Sequence, residues 1–334
     1  MKRFYKKGIS LFLILLMSFP LCACKSDDSK ALTTVKLNEV AHSIFYAPMY
    51  VAIEKGYFED EGMELSLTPG FGADKPMAAV VSGDADVGFM GTEASIYAYT
   101  EGAKDHVINF AQLTQRAGNF VVARENTDSF SYEDMIGKDV LGGRAGGTPE
   151  MVYEYVLREN GVSPSEVKID QSIDFGSTAA AFSGGQGDYT IEFEPSATAL
   201  EQSGDGYVVA SIGVDSGYLP YTAFCAKESY LKENADLIQH FTNALQKGMD
   251  YVAGHSPEEI ASVIAPQFSE TDLKTLTLIV SRYYDQETWN TDLILREEGY
   301  DLMLTILEES GVLSGAAPYE DLVNTDFAEK ASTL

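Results

Sequence analysis

The chain of 334 residues is short of three things: cysteine, histidine and positive charge. Its three cysteines are Cys22, Cys24 and Cys225, and no CxxC pair occurs, which removes the usual zinc and thiol-redox frameworks. The four histidines, His42, His106, His240 and His255, are scattered; none lies three or four residues from another, so no metal is expected. No GxSxG elbow is present. Gly142-Gly143-Arg144-Ala145-Gly146-Gly147 is glycine-rich but lacks the Lys-Ser/Thr of a phosphate-binding loop, and Gly70-Phe71-Gly72 lacks the third glycine of a dinucleotide fingerprint. No catalytic constellation is assembled, no cofactor is implied, and an enzyme is not expected. Lys and Arg number 23 against 51 Asp and Glu. That imbalance argues against nucleic acid and anionic lipid headgroups as partners, because the surface field repels them. A small anion held by local dipoles remains compatible with it.

At the N-terminus, Lys2, Arg3, Lys6 and Lys7 surround the start of an apolar run from Ile9 to Phe19, broken by Ser10 and Ser18. A charged start and a short apolar core make a secretory signal, too short to span a bilayer. Leu21-Cys22-Ala23-Cys24 resembles a bacterial lipobox. The resemblance implies removal of Met1–Ala23 and acylation of Cys24, a lipid anchor on the extracytoplasmic face of the cell membrane. An ordinary secretory signal cut elsewhere is the alternative. Residues 24–334 keep 19 Lys and Arg against all 51 acids, a formal charge of −32. Residues 24–34 read as a polar tether. Cys225 is then alone, so no intrachain disulfide is expected; its apolar surroundings, Tyr221 to Ala226, mark it as a small buried hydrophobe rather than a nucleophile.

Beyond the tether, strand and helix patterns alternate. Strands are expected at 35–40, 63–67, 85–90, 107–113, 120–124, 139–142, 167–171, 189–193 and 207–212. Helices are expected at 48–54, 74–81, 149–159 and 178–182. This β-α-β order predicts α/β architecture. Thr148 is expected as an N-cap with Pro149 at the first helical position, and Ser163/Glu166 and Ser256/Glu259 as capping boxes. Two segments share a plan about a hundred residues apart: 78–89 and 179–191 are each an Ala-rich helix, a Ser-Gly stop, then Asp before a strand. They read as one position in two similarly built lobes. From Ala235 the pattern turns helical, with Leu237, Phe241, Leu245 and Met249 on one face.

Polar and aromatic residues recur just past the C-terminal ends of these strands, where open α/β sheets bind ligands. The candidates are His42, Phe45 and Tyr46; Gly91, Thr92 and Glu93; Gln115 and Arg116; Gly146, Gly147 and Thr148 before a helix, whose N–H groups could hold an electronegative edge; Asp174 and Phe175; Glu192 and Glu194; and Tyr221. Bland roles stand beside these: a carbonyl bond for His42, a cap for Thr148, a surface ion pair for Arg116. Strand alternation puts Glu192 and Glu194 on one face and Phe193 on the other, toward cleft or solvent.

The run from Tyr46 to Leu65 (YAPMYVAIEKGYFEDEGMEL) resembles the opening of the sulfonate-, nitrate- and thiamine-pyrimidine-binding proteins, substrate-binding components of ABC importers. The likeness continues at Val81-Ser-Gly-Asp-Ala-Asp-Val-Gly88, Met135-Ile-Gly-Lys138, Glu192-Phe-Glu-Pro195 and Asn243-Ala-Leu-Gln-Lys-Gly248. The resemblance implies a two-lobed type II periplasmic-binding fold with a helical C-terminal segment. Crossovers are expected near 123–125 and 220–222, so that 35–123 plus 223–334 form lobe 1 and 124–222 form lobe 2. It implies a monomer that captures a small molecule, with a permease and an ATPase as partners. Carboxylates accept from ring amines and aromatics stack on flat rings, so the candidates favour a thiamine-pyrimidine-like nitrogen heterocycle. Sulfonate, nitrate or taurine is the alternative ligand class. Relatives of this fold that synthesise the pyrimidine carry a Cys-rich motif, which this chain lacks; a surface sensor lipoprotein is a third reading.

Overall fold

The computed structural model describes residues 31–70, 72–127, 129–173, 175–313 and 315–334. The expected signal segment, Cys24, most of the tether and Asp174 lie outside the described residues, as does the Phe175 side chain.

Among the described residues, ten strands form two five-stranded sheets. They are β1 (Thr33–Glu39), β2 (Met63–Pro69), β3 (Val87–Met90), β4 (Val107–Thr114), β5 (Asn119–Ala123), β6 (Asp139–Leu141), β7 (Lys168–Asp170), β8 (Tyr189–Phe193), β9 (Tyr207–Ser211) and β10 (Thr222–Lys227). The first sheet runs β2-β1-β3-β10-β4 and the second β7-β6-β8-β5-β9. In each, three parallel strands meet one antiparallel strand, β10 or β5, followed by a fifth. Burial explains the sequence character of these strands. β3 (VGFM) and β5 (NFVVA) are buried at every position and read as continuous apolar runs, whereas the edge strand β2 is half exposed.

The repeated plan at 78–89 and 179–191 occupies matching places. Helix Asp74–Ser82 leads into β3 and helix Phe175–Ser183 into β8, each the third strand of its sheet. Both expected capping boxes form, at Ser163/Glu166 and Ser256/Glu259.

Two expectations need correction. β5 pairs with β8 and β9 in the second sheet, so the first crossover falls between Thr114 and Asn119 rather than near 123–125. An apolar run does not say which of two sheets a strand joins. The helical C-terminal segment also does not belong to the first half alone. Helix Ala235–Gly254 packs on helix Ala47–Glu54, where Gly248 leaves room for the Pro48 carbonyl. Helix Leu273–Asp285, however, reaches the second sheet: Tyr283 donates to the Gly118 carbonyl at 3.1 Å, and Arg282 pairs with Glu194 and Glu201.

Candidate functional site

A cleft of about 1310 Å³ opens between the two sheets. Its floor is aromatic. The Phe45 ring meets Tyr221 edge-on at 5.7 Å, Phe193 at 6.2 Å and Tyr283 at 5.1 Å. Gly118 makes this possible, since a Cβ there would lie 2.8 Å from the Phe45 ring and 2.9 Å from that of Phe193. The Trp289 indole donates to the Phe45 carbonyl at 2.9 Å and holds the turn that carries it.

One wall comes from helix Glu93–Thr100, which follows β3 through Gly91 and Thr92. Glu93 and Tyr97, one turn apart, both line the cleft. The Glu93 carboxyl folds back over Gly91, where any Cβ would collide with it. The facing wall is the loop Gly146-Gly147-Thr148 at the start of helix Thr148–Glu159. Gly147, not Thr148, is the N-cap here; Thr148 is the first helical residue, so its hydroxyl is free of capping duty.

Among the described residues, three buried polar atoms line this cleft: Glu93 Oε2 and Thr148 Oγ1, which face each other without closing a good hydrogen bond, and the Tyr221 hydroxyl, which has no partner. Their residues are 6 %, 3 % and 4 % exposed. Such groups cost about 1–3 kcal/mol each when left unmet, which makes their convergence meaningful. Burial raises the Glu93 carboxyl above the usual range, against the nearby Thr148 hydroxyl and the N–H groups of Glu93 and Ala94 that favour the anion.

His42 lines the cleft but is not available as a free ligand contact. Nδ1 faces Glu39 Oε1 at 3.0 Å and Nε2 faces the Gln267 carbonyl at 3.0 Å. Two acceptors on one ring favour imidazolium, and the Glu39 bond raises its pKa against the effect of burial. Tyr50 donates to the other Glu39 oxygen at 2.6 Å.

The cleft thus gathers His42, Phe45, Tyr46, Gly91, Glu93, Gly146, Gly147, Thr148, Glu194 and Tyr221 among the sequence candidates. Four others lie elsewhere. Thr92 is fully buried and donates to the Pro220 carbonyl at 2.8 Å, joining the second crossover to the end of β3. Gln115 donates to the Glu287 carbonyl at 3.0 Å. Arg116 donates to the carbonyls of Gly213 and Val214 at 3.0 and 3.1 Å, pairs with Glu287 at 3.2 Å and stacks on Tyr218 at 4.1 Å. Gln115 and Arg116 therefore brace the crossovers. Glu192 points away from the cleft, bonded by Thr190 and Thr178, and burial pushes its carboxyl up to about 7. Glu194 does line the cleft, but Thr198 N–H and hydroxyl, each at 2.9 Å, and Arg282 occupy its carboxylate.

Sequence reasoning missed Tyr97, because EASIYAYT is apolar on most sides and shows no helical stripe. It also missed Phe193, although alternation had placed that ring opposite Glu192. Arg144 lines the cleft as an exposed cation, and the acids Asp74, Glu93, Glu101 and Glu194 line it elsewhere. Among the described residues no cluster of three or more His, Cys, Asp or Glu could hold a metal, and no helix is long and apolar enough to cross a membrane.

Two sheets of the same strand order, joined by two crossovers around an aromatic cleft, define a type II periplasmic-binding fold. Comparison with known proteins agrees. The family model described as "NMT1/THI5 like" matches residues 44–260, and the chain belongs to that family. It is 42% identical over 334 residues to "Putative binding protein YtlA" of Bacillus subtilis (strain 168), covering 100% of this chain and 99% of the relative. Among solved structures, the alkanesulfonate-binding protein SsuA from Xanthomonas axonopodis pv. citri, bound to MOPS, superposes with a TM-score of 0.70 at 15% identity, over 88% of this chain and 98% of that one. The periplasmic nitrate-binding protein NrtA from Synechocystis PCC 6803 gives 0.69 at 16% identity, over 90% and 89%. At these identities the likeness is one of fold.

Proposed function

We propose that this chain is the extracytoplasmic substrate-binding component of an ABC importer, and that it captures a small nitrogen heterocycle of the thiamine-pyrimidine kind for delivery to a permease and its ATPase. The observation that carries this reading is the convergence of Glu93 Oε2, Thr148 Oγ1 and the Tyr221 hydroxyl, all buried and unmet, in one aromatic-lined cleft. An ionised carboxylate can only accept, so a ring that brings N–H donors suits it, and the hydroxyls can accept or donate beside it. Phe45, Tyr97, Phe193 and Tyr221 supply apolar faces for a flat ring. A sulfonate or nitrate would meet Glu93 with like charge, and the one arginine on the wall, Arg144, is exposed. A hinge at 115–118 and 217–221 would let the lobes part for entry and close on the ligand, with Glu93 on one wall and Thr148 on the other. The lipobox would keep the protein, as a monomer, at the membrane face through Cys24. A binding role rather than catalysis is supported by Cys225, buried with its thiol pushed up to about 12 and so unreactive.

Thermal stabilisation of the purified chain tests the ligand class. 4-Amino-5-hydroxymethyl-2-methylpyrimidine should raise Tm, and taurine, an alkanesulfonate and nitrate should not. Stabilisation by taurine or the sulfonate with none by the aminopyrimidine would overturn the heterocycle reading.

A further inference from the structure

Glu150 stands one turn inside helix Thr148–Glu159 and does not line the cleft, yet it touches two segments that do. It is 4 % exposed. Its Oε2 accepts the Gly146 N–H at 3.1 Å, and its Oε1 accepts from Gln171 Nε2 at 2.5 Å. Gly146, at φ +74°, belongs to the loop that carries the unmet Thr148 hydroxyl. Gln171 opens the segment leading into helix Phe175–Ser183, whose Gly176 lines the same cleft.

We propose that Glu150 is a positioning residue for ligand capture: its carboxylate ties the Gly146–Thr148 loop to the Gln171 segment, so that the second half of the cleft is presented as one piece. The proposal rests on the cleft being the ligand site. An ordinary helix cap would need only the Gly146 bond; the bond to Gln171, twenty-one residues away, is what joins the two segments.

The tie uses both oxygens as acceptors. The groups facing it are Glu154 on the same helix, paired with Arg158 at 2.8 Å, and the Tyr97 hydroxyl from the opposite wall. Burial first, then Glu154, push the Glu150 carboxyl up to about 7. That rise belongs to the buried, tied arrangement, so the carboxyl ionises more readily once the segments part and the tie weakens as pH climbs through about 7.

Amide hydrogen exchange on the full ligand-free chain tests the tie, comparing wild type, Glu150→Gln and Glu150→Ala at pH 6 and pH 8 with intrinsic rates corrected. Wild type should protect 143–148 and 171–173 less at pH 8 than at pH 6, by about tenfold, because the carboxyl ionises more readily once the segments open. Glu150→Gln, which cannot ionise, should show no change in protection between the two pH values. Glu150→Ala should lose protection in both segments while β5 keeps its own, which also shows that the variant is folded. Affinity for 4-amino-5-hydroxymethyl-2-methylpyrimidine should fall in this variant too. Unchanged exchange in both segments of Glu150→Ala, or a change confined to 143–148, overturns the proposal. Failure of the pyrimidine to bind wild type counts against the heterocycle reading alone, because the exchange data still decide the tie.

Discussion

The two halves of the molecule share a strand order but treat one carboxylate in opposite ways. In each sheet the third strand ends at the cleft, and a glutamate follows: Glu93 after β3, Glu194 after β8. Both are buried and both line the cleft. Glu194 is neutralised by Arg282 and capped by Thr198, so its charge is spent on holding helix Leu273–Asp285 against the second half. Glu93 has no cation, and one of its oxygens has no partner. A buried carboxylate just past the third strand is structural in one half and open in the other. A buried carboxylate is evidence of a ligand only when its partners have been counted.

The comparison breaks most visibly at Arg282. Replacing it with Met leaves the Glu194 charge buried without its cation. Loss of one partner of such a pair costs about 3–5 kcal/mol. Urea unfolding should show that loss, and a variant as stable as wild type would mean that Glu194 is as open as Glu93.

Glu192 sharpens the contrast within the second half. It sits two residues from Glu194 with threonines in place of an arginine, and burial pushes it up to about 7 from an ordinary 4.5. The folded chain therefore holds a proton that the unfolded chain has lost between those values. Stability should fall by about 3 kcal/mol as pH rises from 4.5 to 7, from this group alone. Glu150, raised to about 7, adds to the same slope. Glu192→Gln should flatten it in unfolding curves measured at pH 5 and pH 7.5; an unchanged slope would mean that Glu192 ionises freely.

Glu93 should respond in the opposite sense to Arg282. Glu93→Gln removes a charge whose burial is unfavourable, so stability should hold or rise. Affinity for the aminopyrimidine should drop about 10- to 100-fold, the worth of a charge-assisted bond of about 1.5–3 kcal/mol. Calorimetric titration reads this directly. Equal affinity in the two proteins would remove Glu93 from the ligand site.

Much of the fold was legible because its signals are local. Capping boxes at Ser163 and Ser256 each span four residues, and the helix–Gly–strand units 78–89 and 179–191 are each contained in a single short segment. What failed was non-local. NFVVA is a strand in any reading, but its place in the second sheet depends on pairing with β8 and β9, far along the chain. The site divided along the same line. Gly146, Gly147 and Thr148 were found from a local rule about helix starts. Arg116 was misplaced because its partners, Gly213, Val214 and Glu287, are brought to it by the crossovers. Glu192 was misplaced because the alternation that set it on one face with Glu194 ends with β8 at Phe193: Glu194, past the strand, turns to the cleft and Glu192 does not.

The smallest expected effect is at Tyr221, at the foot of both halves. Its ring packs edge-on against Phe45, while its hydroxyl is buried and unmet. Tyr221→Phe keeps the ring and deletes the one atom that has no protein partner. With nothing bound, the variant should be as stable as wild type or more so, because no protein hydrogen bond is lost and an unpaid desolvation cost is removed. With the aminopyrimidine bound, the lost bond should cost about 1 kcal/mol, less than a tenfold change in affinity. The two measurements must move apart. If Tyr221→Phe lost stability and left affinity unchanged, its hydroxyl would belong to the scaffold, as the Glu194 carboxylate does, and not to the open side of the cleft.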